Sequence, residues 1–121
     1  MSEFKLDRVD VLVIEPNRNT SNSIKNILTT CGNPNIQIGA HELDIQQNFQ
    51  LRMPDLMISE YDLRDGPLDE IIKNIREGDY GTNPFFPIIG LAEPASKNVK
   101  TDFYDAGGDE LIAKPITPKA L

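Results

Sequence analysis

Two glutamates and a lysine stand where strand-like runs of this sequence end. Glu15 closes "VDVLVIEP", Glu60 closes the run inside "PDLMISEYDLRDG", and Lys114 closes "ELIAKP". A carboxylate at such a tip can serve as a nucleophile or as an oxygen ligand for a cation, and a lysine nearby can neutralise an anion. Glu60 raises the sharpest question: whether the tip of its run holds live chemistry or a fixed imitation of it. A fourth apolar run, "PIIGLA", ends on Ala92 and brings no polar side chain to the same set.

The runs that carry these residues are short, rich in Val, Ile and Leu, and bounded by Pro or Gly, which suits strands covered on both faces. Five are expected: one in "VDVLVIEP", one over Asn35 to Ala40 with Ile36 and Ile38 alternating, one from Leu56 to Tyr61, one from Pro87 to Ala92, and one in "ELIAKP". Helical spacing separates them. Thr20 and Ser21 are candidate caps for a helix whose face holds Ile24, Ile27, Leu28 and Cys31, closed by Gly32 and Pro34. Ile45 and Phe49 mark a weaker helix in "HELDIQQNFQLRM". Leu68, Ile71, Ile72 and Ile75 repeat the helical spacing up to Gly78, and Val99, Phe103 and Ala106 do so up to Gly107 and Gly108. "DLRDGP" reads as a turn and "EGDYGTNPFFP" as a long loop, with one of Phe85 and Phe86 packing and the other contributing to a partner surface.

Alternating strand and helix with short connections specify an α/β fold, a doubly wound five-stranded parallel sheet. In such folds the functional crevice lies outside the carboxyl ends of the strands, where strand order reverses. That rule nominates Glu15, Glu60, Ala92 and Lys114.

Composition narrows the function. At 121 residues the chain suits one domain, residues 1–121. Nineteen acidic against twelve basic residues, a net charge of -7, argue against a duplex-binding face. Cys31 is the sole cysteine, so it forms no internal disulfide, and its helical position suits packing in a reducing interior. The sequence shows no run approaching the roughly 20 apolar residues of a membrane span, and a cytoplasmic protein is expected. His41, the sole histidine, falls between the second strand and its helix and is expected at the surface.

Across essentially its whole length the sequence resembles the receiver domain of bacterial two-component response regulators. "VLVIEPN" is similar to the first strand with its acidic pocket, "PDLMISEYDLRDG" to the strand bearing the phospho-acceptor, "PIIGLA" to the fourth strand, and "AGGDELIAKPIT" to the closing strand with its Lys-Pro. The resemblance implies flavodoxin-like topology with strand order 2-1-3-4-5. It also implies a pocket in which an acid pair binds Mg²⁺, an Asp accepts phosphate from a histidine kinase, a hydroxyl senses it and a lysine contacts it. Here the acid pair falls on Glu15 and Pro16, the acceptor on Glu60, the hydroxyl on Ala92, and the lysine on Lys114, followed by Pro115. The aromatic switch position falls on Leu111, and Asp62 occupies the position whose backbone carbonyl ligands the metal in the family.

Each departure has a physical consequence. Proline offers no side-chain oxygen, so Mg²⁺ affinity should fall; no metal or cofactor is expected, and weak Mg²⁺ binding through Glu15, Glu60 and Asp62 stays open. The extra methylene of Glu60 displaces the nucleophilic oxygen, and a misplacement of about 1 Å can cost roughly a hundredfold in rate. Ala92 and Leu111 remove both halves of the readout. Glu60 instead projects its charge towards Lys114, with which an ion pair is expected, although one carboxylate carries less than the charge of about -1.5 to -2 on a phosphoryl group.

The resemblance thus implies a non-enzymatic, phosphorylation-independent signalling module that works by protein binding. Its expected partner surface holds Lys97, Lys100, Thr101, Tyr104, Asp105 and Leu111, and its expected partners are a histidine kinase, an output domain or another signalling protein. Two alternatives stay open: a receiver still phosphorylated or metal-bound at Glu60, and a flavodoxin-like cofactor binder using "NRNTSNS" at a helix start. A fifth helix should begin at Thr117 and Pro118, leaving it missing or only begun at Leu121. If these residues are the whole folding unit, the face it would cover favours a homodimer or exchange of elements.

Overall fold

The Val/Ile-rich runs pair side by side in one direction. In the computed structural model, which describes residues 9–32, 35–51, 53–63, 66–78, 85–93 and 97–114, they form β1 (Asp10–Ile14), β2 (Asn35–Gly39), β3 (Leu56–Glu60), β4 (Ile88–Ala92) and β5 (Glu110–Ala113). All pairings in this sheet are parallel, in the order β2-β1-β3-β4-β5. The chain runs from β1 to β2 and then back past β1 to β3, so strand order reverses beside β1. The expected sheet is therefore present in the expected order.

Because side chains alternate across a strand, each strand feeds two cores. Leu12, Ile14, Met57 and Ile88 face α2 (Glu42–Leu51), α3 (Leu68–Arg76) and α4 (Lys97–Ala106), meeting Ile45, Phe49, Ile72, Ile75 and Phe103. On the other face Val11, Val13, Ile58 and Leu91 meet Ile24 and Leu28 of α1 (Arg18–Gly32). Ile36, Leu56, Ile89 and Ile112 on that face are only partly buried. Thr117 and Pro118, where a fifth helix is expected, lie outside the described residues, as does the side chain of Cys31.

The start of α1 corrects the expected caps. Asn17 rather than Thr20 or Ser21 caps it, its Oδ1 accepting the Thr20 N–H at 3.2 Å, because the side chain three residues before Thr20 is the one that can reach that donor. α2 begins with a carboxylate reaching backwards: Asp44 Oδ2 accepts from the N–H groups of Ala40 at 2.7 Å and His41 at 3.0 Å. These two bonds hold the Asp44 carboxyl below its usual range. At the end of α4, Gly107 takes φ +111 and Gly108 donates its N–H to the Phe103 carbonyl at 3.0 Å, the wrap that satisfies the last carbonyls. "DLRDGP" contains a short antiparallel ribbon, Asp62–Leu63 against Gly66–Pro67, so Asp62 sits in a two-residue strand and not in open loop.

Of the two adjacent aromatics, Phe86 is buried, with its ring edge-on to Phe49 at 5.4 Å between centroids, and Phe85 is 85% exposed. Arg76 then ties α3 to two loops: Nε and Nη2 donate to the Gly107 carbonyl, Nη1 to that of Phe86, and Nη2 also meets Asp109 at 3.0 Å.

Phe103 has filled the space that a side chain on β4 would need. A Cβ at Gly90 would lie 2.6 Å from Phe103 Cε1 and 3.0 Å from Leu111 Cδ1. Gly90→Ala should therefore destabilise by about 1–3 kcal/mol in urea unfolding, although the lost backbone entropy alone would favour alanine. The penalty should shrink when measured in a Phe103→Leu background. An equal penalty in both backgrounds would show that the ring is not its cause.

Candidate functional site

Backbone bonds that continue the sheet ladder past the strand ends set the site. The Glu15 N–H donates to the Gly39 carbonyl at 2.9 Å, the Tyr61 N–H to Leu91 at 2.7 Å, and the Lys114 N–H to Ala92 at 2.7 Å. These bonds fix Glu15, Glu60 and Lys114 at one edge, although nearly a hundred residues separate the first from the last.

Their side chains converge. Lys114 Nζ lies 2.9 Å from Glu15 Oε1 and 2.6 Å from Glu60 Oε2, so the expected Glu60–Lys114 pair is present and Glu15 completes it. The side chains of Glu15, Glu60 and Lys114 are only 2%, 11% and 14% exposed, which makes the contacts stronger than those of a surface pair. Glu15 Oε2 also accepts the Asn17 N–H at 3.1 Å, anchoring the carboxylate at the start of α1.

Two carboxylates share one ammonium, and the cluster carries a net charge of about -1 when all three are ionised. Burial pushes the Glu60 carboxyl up; the hydrogen bond and charge of Lys114 oppose this, and the negative charges of Glu15 and Asp62 add to it. For Lys114 burial disfavours the ammonium, but the hydrogen bonds it donates to Glu60 and Glu15, together with their charges, outweigh this and raise its pKa. The lysine is therefore cationic at neutral pH, and proton transfer from it is not favoured.

Of the remaining nominated positions, Ala92 and Pro16 bring no polar side chain to this cluster. Ala92 is buried and ends β4 with a methyl group, while Pro16 is exposed. Leu111 is partly buried and packs on the core beside Gly90, so it is a weaker contributor to an outer surface than its position implied. Asp62 is exposed in its short ribbon. Lys100, Thr101, Tyr104 and Asp105 lie exposed on α4, and the Tyr104 hydroxyl accepts the Leu111 N–H at 3.0 Å. Pro115 and the side chain of Lys97 lie outside the described residues. His41 is half-buried at the start of α2.

Receiver-like topology implies Mg²⁺, but the donor set does not fit that ion. The two nearest carboxylate oxygens are taken by Lys114, Pro16 supplies none, and among the described residues no group of three or more His, Cys, Asp or Glu is arranged to hold a metal. Nor does the start of α1 suit a phosphate. Asn17 Oδ1 already accepts the Thr20 N–H, and the Glu15 carboxylate, which accepts the Asn17 N–H, places negative charge there.

One residue next to the cluster escaped the sequence reading. Tyr61 is buried, and its hydroxyl donates to Asp69 Oδ2 at 2.6 Å, pinning the end of β3 to the first turn of α3. Burial, followed by the Asp69 hydrogen bond, pushes the phenol above its usual range, so it remains a donor. Nothing in the sequence pairs these residues except the turn that lies between them.

Comparison with protein-family models gives no match, and neither does comparison with curated protein sequences. Solved structures do match. The Vibrio cholerae chemotaxis protein CheY4 superposes with a TM-score of 0.81 at 19% identity, covering 93% of this chain and 92% of that one. A two-component response regulator from Clostridium difficile gives 0.81 at 20% identity, covering 93% and 88%. The signal receiver domain of a signal transduction histidine kinase from Syntrophus aciditrophicus gives 0.78 at 19%, covering 92% and 82%. At this identity the likeness is one of architecture, and it agrees with the strand order: the chain adopts the fold of response regulator receiver domains.

Proposed function

We propose that this chain is a single receiver-like signalling domain of a bacterial two-component or phosphorelay system, acting in the cytoplasm by protein binding and without phosphorylation. The observation that carries this reading is the Lys114 ammonium seated between Glu15 and Glu60. The resemblance implies that a lysine at this place contacts the phosphoryl group; here two side-chain carboxylates occupy it. Pro16 and Ala92 support the same conclusion, since one supplies no metal ligand and the other no hydroxyl to follow a phosphoryl group. On this reading the domain is not an enzyme, and Glu60 is a permanent, weaker substitute for the charged state. The exposed residues of α4 supply one surface for a kinase, an output domain or another signalling protein.

Beryllofluoride tests the reading directly, since it activates the structurally similar DrrB receiver domain. Titrating Mg²⁺ and beryllofluoride into ¹⁵N-labelled protein should leave the amide resonances of Glu60, Ala92 and Lys114 unmoved. In the Pro16→Asp/Glu60→Asp/Ala92→Thr protein the same titration should produce saturable shifts. Saturable shifts in the unaltered chain would restore the switchable receiver.

Stability supplies a second test. Lys114→Met leaves two buried carboxylates without their cation and should cost about 3 kcal/mol at neutral pH, with a smaller loss in acid where the carboxylates are protonated. Glu60 titrates in the opposite sense to a usual ion-paired acid. Its folded pKa lies above the 4.5 of a free glutamate, so its contribution is complete below that value and is lost as pH rises through the folded pKa. Glu60→Gln should therefore flatten the fall in stability that sets in as pH rises above 4.5 towards the raised folded pKa. An unchanged slope would mean that Glu60 is not the group responsible.

A further inference from the structure

The four exposed residues of α2 are Leu43, Gln47, Gln50 and Leu51, and none is charged. This is unlike the described exposed residues of the other helices, which include Arg18 and Lys25 on α1, Glu70 and Lys73 on α3, and Lys100, Asp102 and Asp105 on α4. In a chain of net charge -7 an uncharged helix face is a local exception. Leu43 is 59% exposed and Leu51 is 87% exposed, so two of the large apolar side chains left in water lie on this one stripe.

Their spacing identifies the occupant. Leu43, Gln47 and Leu51 form a row at intervals of four, the ridge that packs against a like ridge at about 50°. The row reads the same in both directions about Gln47. A second α2 crossing at Gln47 around a two-fold axis would set Leu43 of one copy beside Leu51 of the other, with the leucines about 12 Å apart along each helix. At the axis the two Gln47 amides can each donate and accept. An arbitrary partner has no reason to match this symmetry, whereas a second copy matches it by construction.

Charge favours the same choice. Two molecules of net charge -7 repel one another, and close approach is cheapest where neither presents charge. The stripe also continues inward. α2 packs over β1, leaving Asn35 and Gln37 of β2 as part of the lining of a groove of about 280 Å³, which Leu51 borders; among the described residues its one charged lining residue is Asp10.

We propose that α2 is a self-association surface, through which two copies of this chain pair about an axis at Gln47. The proposal is independent of the state of the Glu60 pocket. It also differs from a dimer formed through the partly buried Leu56, Ile89 and Ile112 on the opposite sheet face.

Sedimentation equilibrium of the full chain over a wide concentration range should show a reversible species of twice the 13.5 kDa monomer mass. Added salt should strengthen it by screening the net charge. Leu51→Glu should weaken association by roughly a hundredfold by setting a carboxylate against Leu43 of the other copy, while leaving the circular dichroism spectrum unchanged. In a Cys31→Ser background, mild oxidation of Gln47→Cys should give a covalent dimer, and Lys100→Cys should not. A monomer at all concentrations would overturn the proposal. So would a dimer indifferent to Leu51→Glu, one disrupted by Ile112→Glu instead, or preferential cross-linking through Lys100→Cys.

Discussion

The contact on which the functional edge depends is the ammonium of Lys114 held between the carboxylates of Glu15 and Glu60. It joins the ends of β1, β3 and β5, three of the five strands, at a place where all are shielded from water. Shielding makes the arrangement sensitive to composition. With the lysine present, two buried negative charges are tolerated; without it, they would face each other in a medium that screens poorly. The parallel sheet is what makes the contact available, since all its strands release their final residues at the same edge.

That interaction also explains why the other departures in the pocket belong together. A phosphoryl-accepting site needs a cation to organise the anion, a hydroxyl to follow it and a free lysine to receive it. On the proposed reading Pro16 supplies no oxygen, Ala92 no hydroxyl, and Glu60 already engages the lysine. Tyr61 adds rigidity just beyond the site, since its hydroxyl bond to Asp69 ties the end of β3 to α3. Leu111, packed against the core beside Gly90, leaves no aromatic ring at this position on β5 to change orientation. On the proposed reading, these side chains hold the pocket in one state.

The outer surface divides along similar lines. α1, α3 and α4 each expose charged side chains to water, while the fully exposed residues of α2 are Leu43, Gln47, Gln50 and Leu51, with Glu42 and Asp44 half-buried. The pocket and this face lie on separate structural elements, so an interaction at α2 does not require the pocket to change.

Much of this was legible before folding was considered. The spacing of Leu68, Ile71, Ile72 and Ile75 marks α3, and the β-branched runs ending at Glu15, Glu60 and Ala92 mark strands, because period and branching are local properties. The nomination of Glu15, Glu60 and Lys114 as neighbours followed from one topological rule about strand ends. The cap of α1 was less legible: Asn17, Thr20 and Ser21 are all cap-forming types, and only backbone geometry selects among them. Tyr61 with Asp69, and Arg76 with Gly107, Phe86 and Asp109, could not be read at all. What the sequence by itself determined was the order and type of the elements and the chemical groups placed at their ends. Only the tertiary structure decided that one lysine serves two carboxylates, because that depends on distances of 2.6 and 2.9 Å between residues brought together by the whole sheet, which no local pattern encodes.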